Sequence, residues 1–157
     1  MRIAGPVLGV LIAVLLAAAF WVGRDLRDAQ AAADDREAAV RAAGAHAVAL
    51  LSVSHWSVDA DLKRILDTST GAARAKYAGD LGTLRETAIK EKILQTGALR
   101  AAGLVSLVGN TARVMVVGDA VIRQDGSKKA PREQFSQWNM EVTKAGGVWL
   151  VSKAELV

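Results

Sequence analysis

Apolar and polar residues follow three different patterns along this chain. From Ile3 to Val22 there is no alternation at all: IAGPVLGVLIAVLLAAAFWV runs for 20 residues without a charge. A helix of that length, at about 1.5 Å per residue, spans roughly the 30 Å of a bilayer's hydrocarbon core. Only a helix or a closed barrel satisfies its own backbone there, and one segment closes no barrel. The run predicts a membrane anchor over residues 1–24. Trp21 stands where an indole suits the interface, and Arg24 and Arg27 follow among Asp25 and Asp28. The alternative is a cleaved signal peptide, with Ala29-Gln30-Ala31 or Ala17–Ala19 at the cut. A secretory apolar core is about 7–15 residues, shorter than this run. The short N-terminus and the large remainder place the N-terminus inside and the domain outside the cytoplasm. Gly5 and Gly9, four apart, would let the anchor pack on another membrane helix.

After the anchor the period becomes helical. Residues 25–53 are alanine-rich and free of proline, with 25–34 as a helical connector. Val40, Ala43, Ala47, Leu50 and Leu51 share one face. Gly44, costly in a helix interior, suggests close packing by another element. Ser57 is placed to cap a short helix through Leu66, with Asp59 and Asp61 near its positive dipole end. Thr68 to Lys92 reads as a third helix with Tyr77, Leu81, Leu84 and Ala88 on one side, although Gly79 and Gly82 weaken it.

From Leu94 the period changes to that of strands. Leu94–Val108 carries Leu99, Ala101, Val105 and Leu107 in one alternating set. Gly109-Asn110 is a hairpin signal, and Thr111–Arg123 reads as a strand covered on both faces. Asp125-Gly126 opens a basic loop ending at Pro131. Arg132–Lys144 places Trp138, Met140 and Val142 on one face; Gly146-Gly147 turns the chain into a last strand, Val148–Lys153. Segregated helices and strands predict an α+β domain over residues 35–157: three helices packed on a curved antiparallel sheet of about four strands.

Composition narrows the chemistry. Cysteine is absent, so there is neither a disulfide nor a thiol to use. The net charge of +4 is scattered, and only Lys128, Lys129 and Arg132 approach a cluster. That suits anionic head groups or an acidic partner better than nucleic acid. No phosphate-binding loop, zinc-protease helix, nucleophile elbow or dinucleotide fingerprint occurs, and no cofactor is expected. His46, flanking the apolar helix face, reads as a partly packed surface residue. His55, in a loop beside Trp56, reads likewise. Asp59 and Asp61 read as helix-start residues. Asp119 is the exception. It interrupts the apolar strand Val114–Ile122 just after Gly118, so it is paired, exposed at a bulge, or facing a pocket.

The order of elements resembles the cone-shaped NTF2-like fold. Ser57-Val58-Asp59-Ala60-Asp61-Leu62 resembles the start of the second helix in the Mce-associated membrane proteins, a family of single-pass companions of mycobacterial lipid importers. Thr70-Gly71 with Lys76-Tyr77 resembles the start of that family's third helix, and Gly147-Val148-Trp149-Leu150-Val151-Ser152 its closing strand. The resemblance implies a non-catalytic accessory subunit of an Mce-type lipid or sterol importer. Its expected partners are Mce proteins, the permease and membrane lipid, with no nucleic acid, and its expected place is the cytoplasmic membrane and cell envelope. Two other functions fit the same sequence: a pocket protein or enzyme for an apolar molecule, and a scaffold subunit of a type IV secretion-like machine.

Overall fold

The computed structural model describes residues 4–157, with side chains described for Leu16 and from residue 18 onward. The elements are α1 (Ala4–Leu51), β1 (Val53–Ser54), α2 (Val58–Asp67), α3 (Gly71–Lys90), β2 (Ile93–Val108), β3 (Thr111–Gln124), β4 (Arg132–Ala145) and β5 (Val148–Leu156). Two units divide between Asp35 and Arg36. In the first, the expected anchor over Ile3–Val22 falls in α1 from Ala4 onward, with its side chains described only for Leu16 and from residue 18. Among the described residues no helix is long and apolar enough to cross a membrane. Residues 25–34 continue α1 without a break.

The second unit, Arg36–Val157, is α+β, with a curled antiparallel sheet in the order β1-β2-β3-β4-β5. The sheet has five strands rather than four because Val53 and Ser54, leaving α1, pair with Gln95 and Leu94. The opposite edge is covered differently. The α2–α3 linker runs beside β5, where Thr70 N–H donates to Val151 C=O and Val151 N–H to Thr68 C=O, forming an isolated parallel bridge.

α1 reaches the sheet through small side chains. Ala39, Ala43 and Ala47 recur every four residues and are completely buried, followed by Leu51. They meet Val114 and Val116 of β3, Trp138, Met140 and Val142 of β4, and Trp149 and Val151 of β5. The concave side of the sheet is therefore filled by side chains. A smaller cluster of Ala49, Val58, Leu62, Ile65 and Ala88 holds α2 and α3. Gly79 and Gly82 do not break α3, and both face open space. Leu84, expected on its buried side, is exposed.

β2 departs most from the expected pattern. Its pairing with β3 slips twice, between Leu99 and Ala101 and between Leu104 and Ser106. Arg100 and Val105 are the extra residues, and each reverses the parity of the strand. The core-facing set is thus Leu99, Ala102, Leu104 and Leu107, whereas Ala101 and Val105 face outward.

Glycine governs how closely α1 approaches. A Cβ on Gly97 would stand 2.4 Å from Leu51 Cβ and 2.8 Å from the Asp119 carbonyl oxygen. One on Gly118 would stand 2.5 Å from Leu51 Cδ1, and one on Gly44 2.9 Å from Leu99 Cδ2. Gly118 seats Leu51 and also stands at the first slip, as the partner of Leu99, with the extra residue on β2. Gly97→Ala is expected to destabilise by about 1–3 kcal/mol, because backbone as well as side chain must move. Leu51→Ala is expected to cost about 2–5 kcal/mol through the cavity it leaves. Urea unfolding of both variants measures this; a Gly97→Ala midpoint equal to wild type would show that the close approach carries no constraint.

Candidate functional site

Asp119 lies on the outer face of the sheet, on the opposite side from buried Val116, Gly118 and Ala120. There it is held by the residue that the first bulge adds to β2. Arg100 Nε donates to Asp119 Oδ1 at 2.5 Å and its terminal nitrogen to Oδ2 at 2.7 Å. This fork is the strong geometry for an arginine–carboxylate pair. It keeps the Asp119 carboxyl below the usual carboxylate range, the hydrogen bond being the larger cause. Register places Ala98 and Phe135 on either side of Asp119. Phe135 is 74% exposed, and Val121 and Met115 are exposed on the same face of β3.

Arg100 also borders a second surface. Between α1 and β2 lies a groove of about 680 Å³ lined by Val40, Val48, Leu99, Ala101 and Ala102, with Arg41 and Arg100 at its rim. Arg41 is engaged by Glu37 at 2.6 Å. The groove and the outer apolar face thus meet along one line, the edge of β2. That edge is open. β1 covers only Leu94 and Gln95, and among the described residues no backbone hydrogen bond to another element leaves Thr96–Val108 on that side. Val105 is 62% and Val108 77% exposed. The stretch carries one charge, Arg100, already matched by Asp119. An unpaired, nearly uncharged strand edge is a template for another chain.

The other acidic and histidine residues have structural work. Asp59 pairs with Arg85 of α3, Nε to Oδ1 at 2.7 Å. Asp61 is buried and accepts from Ser54 N–H, Ser57 Oγ and Arg64. Ser57 therefore occupies the N-cap position of α2 while giving its hydroxyl to Asp61 instead of capping the backbone. His55 Nε2 lies 3.3 Å from Asp125 Oδ2, with the ring against Trp56 in a tilted contact. Among the described residues no group of three or more His, Asp or Glu side chains could hold a metal. Gly5 and Gly9 lie where no side-chain surroundings are described.

His46 is fully buried, not partly packed at the surface. The reason is a hydrogen-bond chain supplied by distant residues. Nδ1 is 2.8 Å from Thr68 Oγ1, and Nε2 is 3.3 Å from the Tyr77 hydroxyl. Thr68 gives its only hydroxyl proton to the Arg64 and Ile65 carbonyls. Nδ1 must then donate and Nε2 accept from Tyr77, so the neutral ring satisfies the whole chain. Burial lowers the His46 pKa to about 4 and raises that of Tyr77.

Sequence reasoning singled out Asp119 and missed Arg100, its partner, and the open edge. The available signal was a lone charge between Gly97 and Gly103 in an apolar strand, since strand glycines mark bulges or close approach.

The chain matches the Rv1363c/MT1408-like family of uncharacterized proteins over residues 3–157 and belongs to it. It is 28% identical over 127 residues to the uncharacterized protein Rv1363c of Mycobacterium tuberculosis (strain ATCC 25618 / H37Rv), covering 78% of this chain and 47% of that protein. The chain thus spans about half the length of this curated relative. Among solved structures it is similar to the periplasmic domain of DotI, with TM-score 0.62, 15% identity, and 75% and 91% of the two chains covered. It is also similar to an IcmL-like type IV secretion system protein from Legionella pneumophila, with TM-score 0.60, 14% identity and 75% and 88% covered. At these identities the likeness is one of fold.

The buried imidazole makes a pH prediction. With a folded pKa of about 4 against about 6.5 unfolded, the unfolded state binds more protons between those values. Stability from this group is complete above about pH 6.5 and is lost as pH falls toward 4, by about 3 kcal/mol in all. His46→Gln removes the titration and should flatten this part of the profile. Chemical unfolding of both proteins across that range is the measurement, and equal slopes would assign the acid lability elsewhere.

Proposed function

We propose that this member of the Rv1363c/MT1408-like family is a non-catalytic assembly domain of the cell envelope, working by contact with other proteins along the β2 edge. The observation that carries this reading is the open stretch Thr96–Val108, flanked by an apolar groove on one side and an apolar outer face on the other. An extended segment adding there would gain main-chain hydrogen bonds from β2 and side-chain contacts from both flanks. The filled concave side supports surface contact over a ligand pocket. Similarity to a periplasmic domain and to a type IV secretion system protein favours a scaffold role in a secretion-like machine, with the domain outside the cytoplasm and the Ile3–Val22 run as anchor.

A second recipient is an Mce-type lipid importer, with the domain as its accessory subunit. The resemblance that suggests it falls on element starts: Ser57 precedes α2, Thr70 precedes α3, and Val148 begins β5. Both recipients use the same edge, and the identity of the bound protein separates them.

The absence of cysteine makes the test clean, because one introduced thiol is unique. A Val108→Cys chain carrying a photo-crosslinker is expected to give a discrete protein adduct in native membranes. Val105→Lys places a charge on the edge and should lower the adduct about tenfold or more, with an unchanged melting temperature, since about 1.4 kcal/mol suffices for tenfold. Mass spectrometry then reads the recipient: secretion-system proteins support the scaffold, Mce or permease subunits the importer. No adduct, with full function retained by Val105→Lys, would overturn both.

A further inference from the structure

One end of the Arg36–Val157 unit gathers charge that the sequence scatters. Lys90 and Lys92 close α3 and turn into β2. Register sets Arg123 beside Leu94 and Arg132 beside Ile122, and Asp125 N–H donates to the Lys92 carbonyl at 2.9 Å. Lys128 and Lys129 project from the loop between β3 and β4. All six cations are exposed, and none has an ion-pair partner among the described residues. The acidic residues mixed among them are partly engaged: Glu91 accepts from Gln124, and Asp125 lies against His55.

Trp56 projects from the same end. Its side chain is 77% exposed, yet it is held in place. The indole lies against His55, with centroids 4.4 Å apart and planes tilted by 37°, and the Trp56 backbone N–H donates to Ser54 Oγ. His55 is anchored through its N–H to the Ile93 carbonyl, beside Lys92. Lys92 itself has φ +48°, at the position after a helix where glycine normally takes the left-handed conformation. A lysine there costs conformational energy that glycine would not.

We propose that this end docks onto an anionic phospholipid surface. An ordered, exposed indole among unpaired lysines and arginines is the chemistry of a membrane interface, where the ring sits among head groups and each cation adds attraction. An acidic protein segment would ask for a groove to receive it; three grooves of this unit, along α1 and β2, between α2 and α3, and beside Val105, Arg113 and Glu141, lie elsewhere. The end lies at the far side of the unit from Arg36, about 23 Å away along α1. The inference does not rest on the β2 edge, which is a separate surface.

The test uses the full chain in phosphatidylcholine nanodiscs, mixed with separate vesicles of phosphatidylcholine alone or with phosphatidylglycerol. Co-sedimentation is expected only with the phosphatidylglycerol vesicles, and to weaken as salt rises. Lys128→Glu with Lys129→Glu should reduce binding at least tenfold, and Trp56→Ala several-fold, with circular dichroism unchanged. Val105→Lys should leave it intact, which separates this surface from the strand edge. Equal binding to both vesicle types, no binding to either, or retention by Lys128→Glu/Lys129→Glu overturns the proposal. Capture by immobilised polyglutamate without vesicle binding replaces the lipid with an acidic protein.

Discussion

The fold depends on how closely one helix can lie against two strands. Leu51, the last residue of α1, sits where Gly97 of β2 and Gly118 of β3 leave no side chain in the way. Above it the helix presents Ala47, Ala43 and Ala39, all with no exposed surface. Apart from Leu51, the largest buried side chains of this cluster come from β4 and β5: Trp138, Met140 and Trp149. Dense packing needs this division, because large side chains on both partners would force the helix away and open voids. The same geometry fixes the sheet's open side. α1 lies over the face of β2 near its edge, covers Leu99 at Gly44, and leaves the hydrogen-bonding edge itself uncovered.

Much of this was legible in residue patterns. The alanine stripe, the turns at Gly109-Asn110 and Gly146-Gly147, and the alternation Trp138, Met140, Val142 all declare local structure, and local chemistry suffices to read them. β2 was not legible in the same way. Its residues are small or apolar on both faces, so alternation carries no information about which side is inward. Two bulges then reverse the parity of a strand whose pattern could not reveal them. His46 fails for a different reason. A histidine at the margin of a helix face is buried or exposed according to whether partners arrive, and Thr68 and Tyr77 arrive from 22 and 31 residues away. Asp119 raised the right question, but its answer stood 19 residues earlier, in Arg100.

These non-local pairs share a logic. Several polar groups in this domain are matched across elements: buried His46 joins α1 to Tyr77 of α3 and to Thr68 beyond α2, buried Asp61 joins α2 to β1, and exposed Asp59 joins α2 to α3. α2 and α3 have a small apolar cluster of their own, so polar links supply orientation that packing alone leaves loose. The neutral His46 chain is the most demanding of them, because it needs Thr68, His46 and Tyr77 from three parts of the chain to meet at once.

The β2 edge then poses a conflict that its details resolve. An open, nearly uncharged edge of this length invites indiscriminate pairing between copies. The two bulges break the regular spacing of edge hydrogen-bonding groups, so a straight strand cannot pair along the whole length. Arg100 stands at the first bulge, an exposed charged group on the edge, yet its charge is balanced by Asp119 on the adjacent strand. A partner shaped to the bulges meets no uncompensated charge, whereas a generic strand meets a broken ladder and a bulky guanidinium. In the proposed role the edge would then select its partner rather than merely stand open. The irregularities that hid β2 from its own sequence pattern are the features that would let it discriminate among partners.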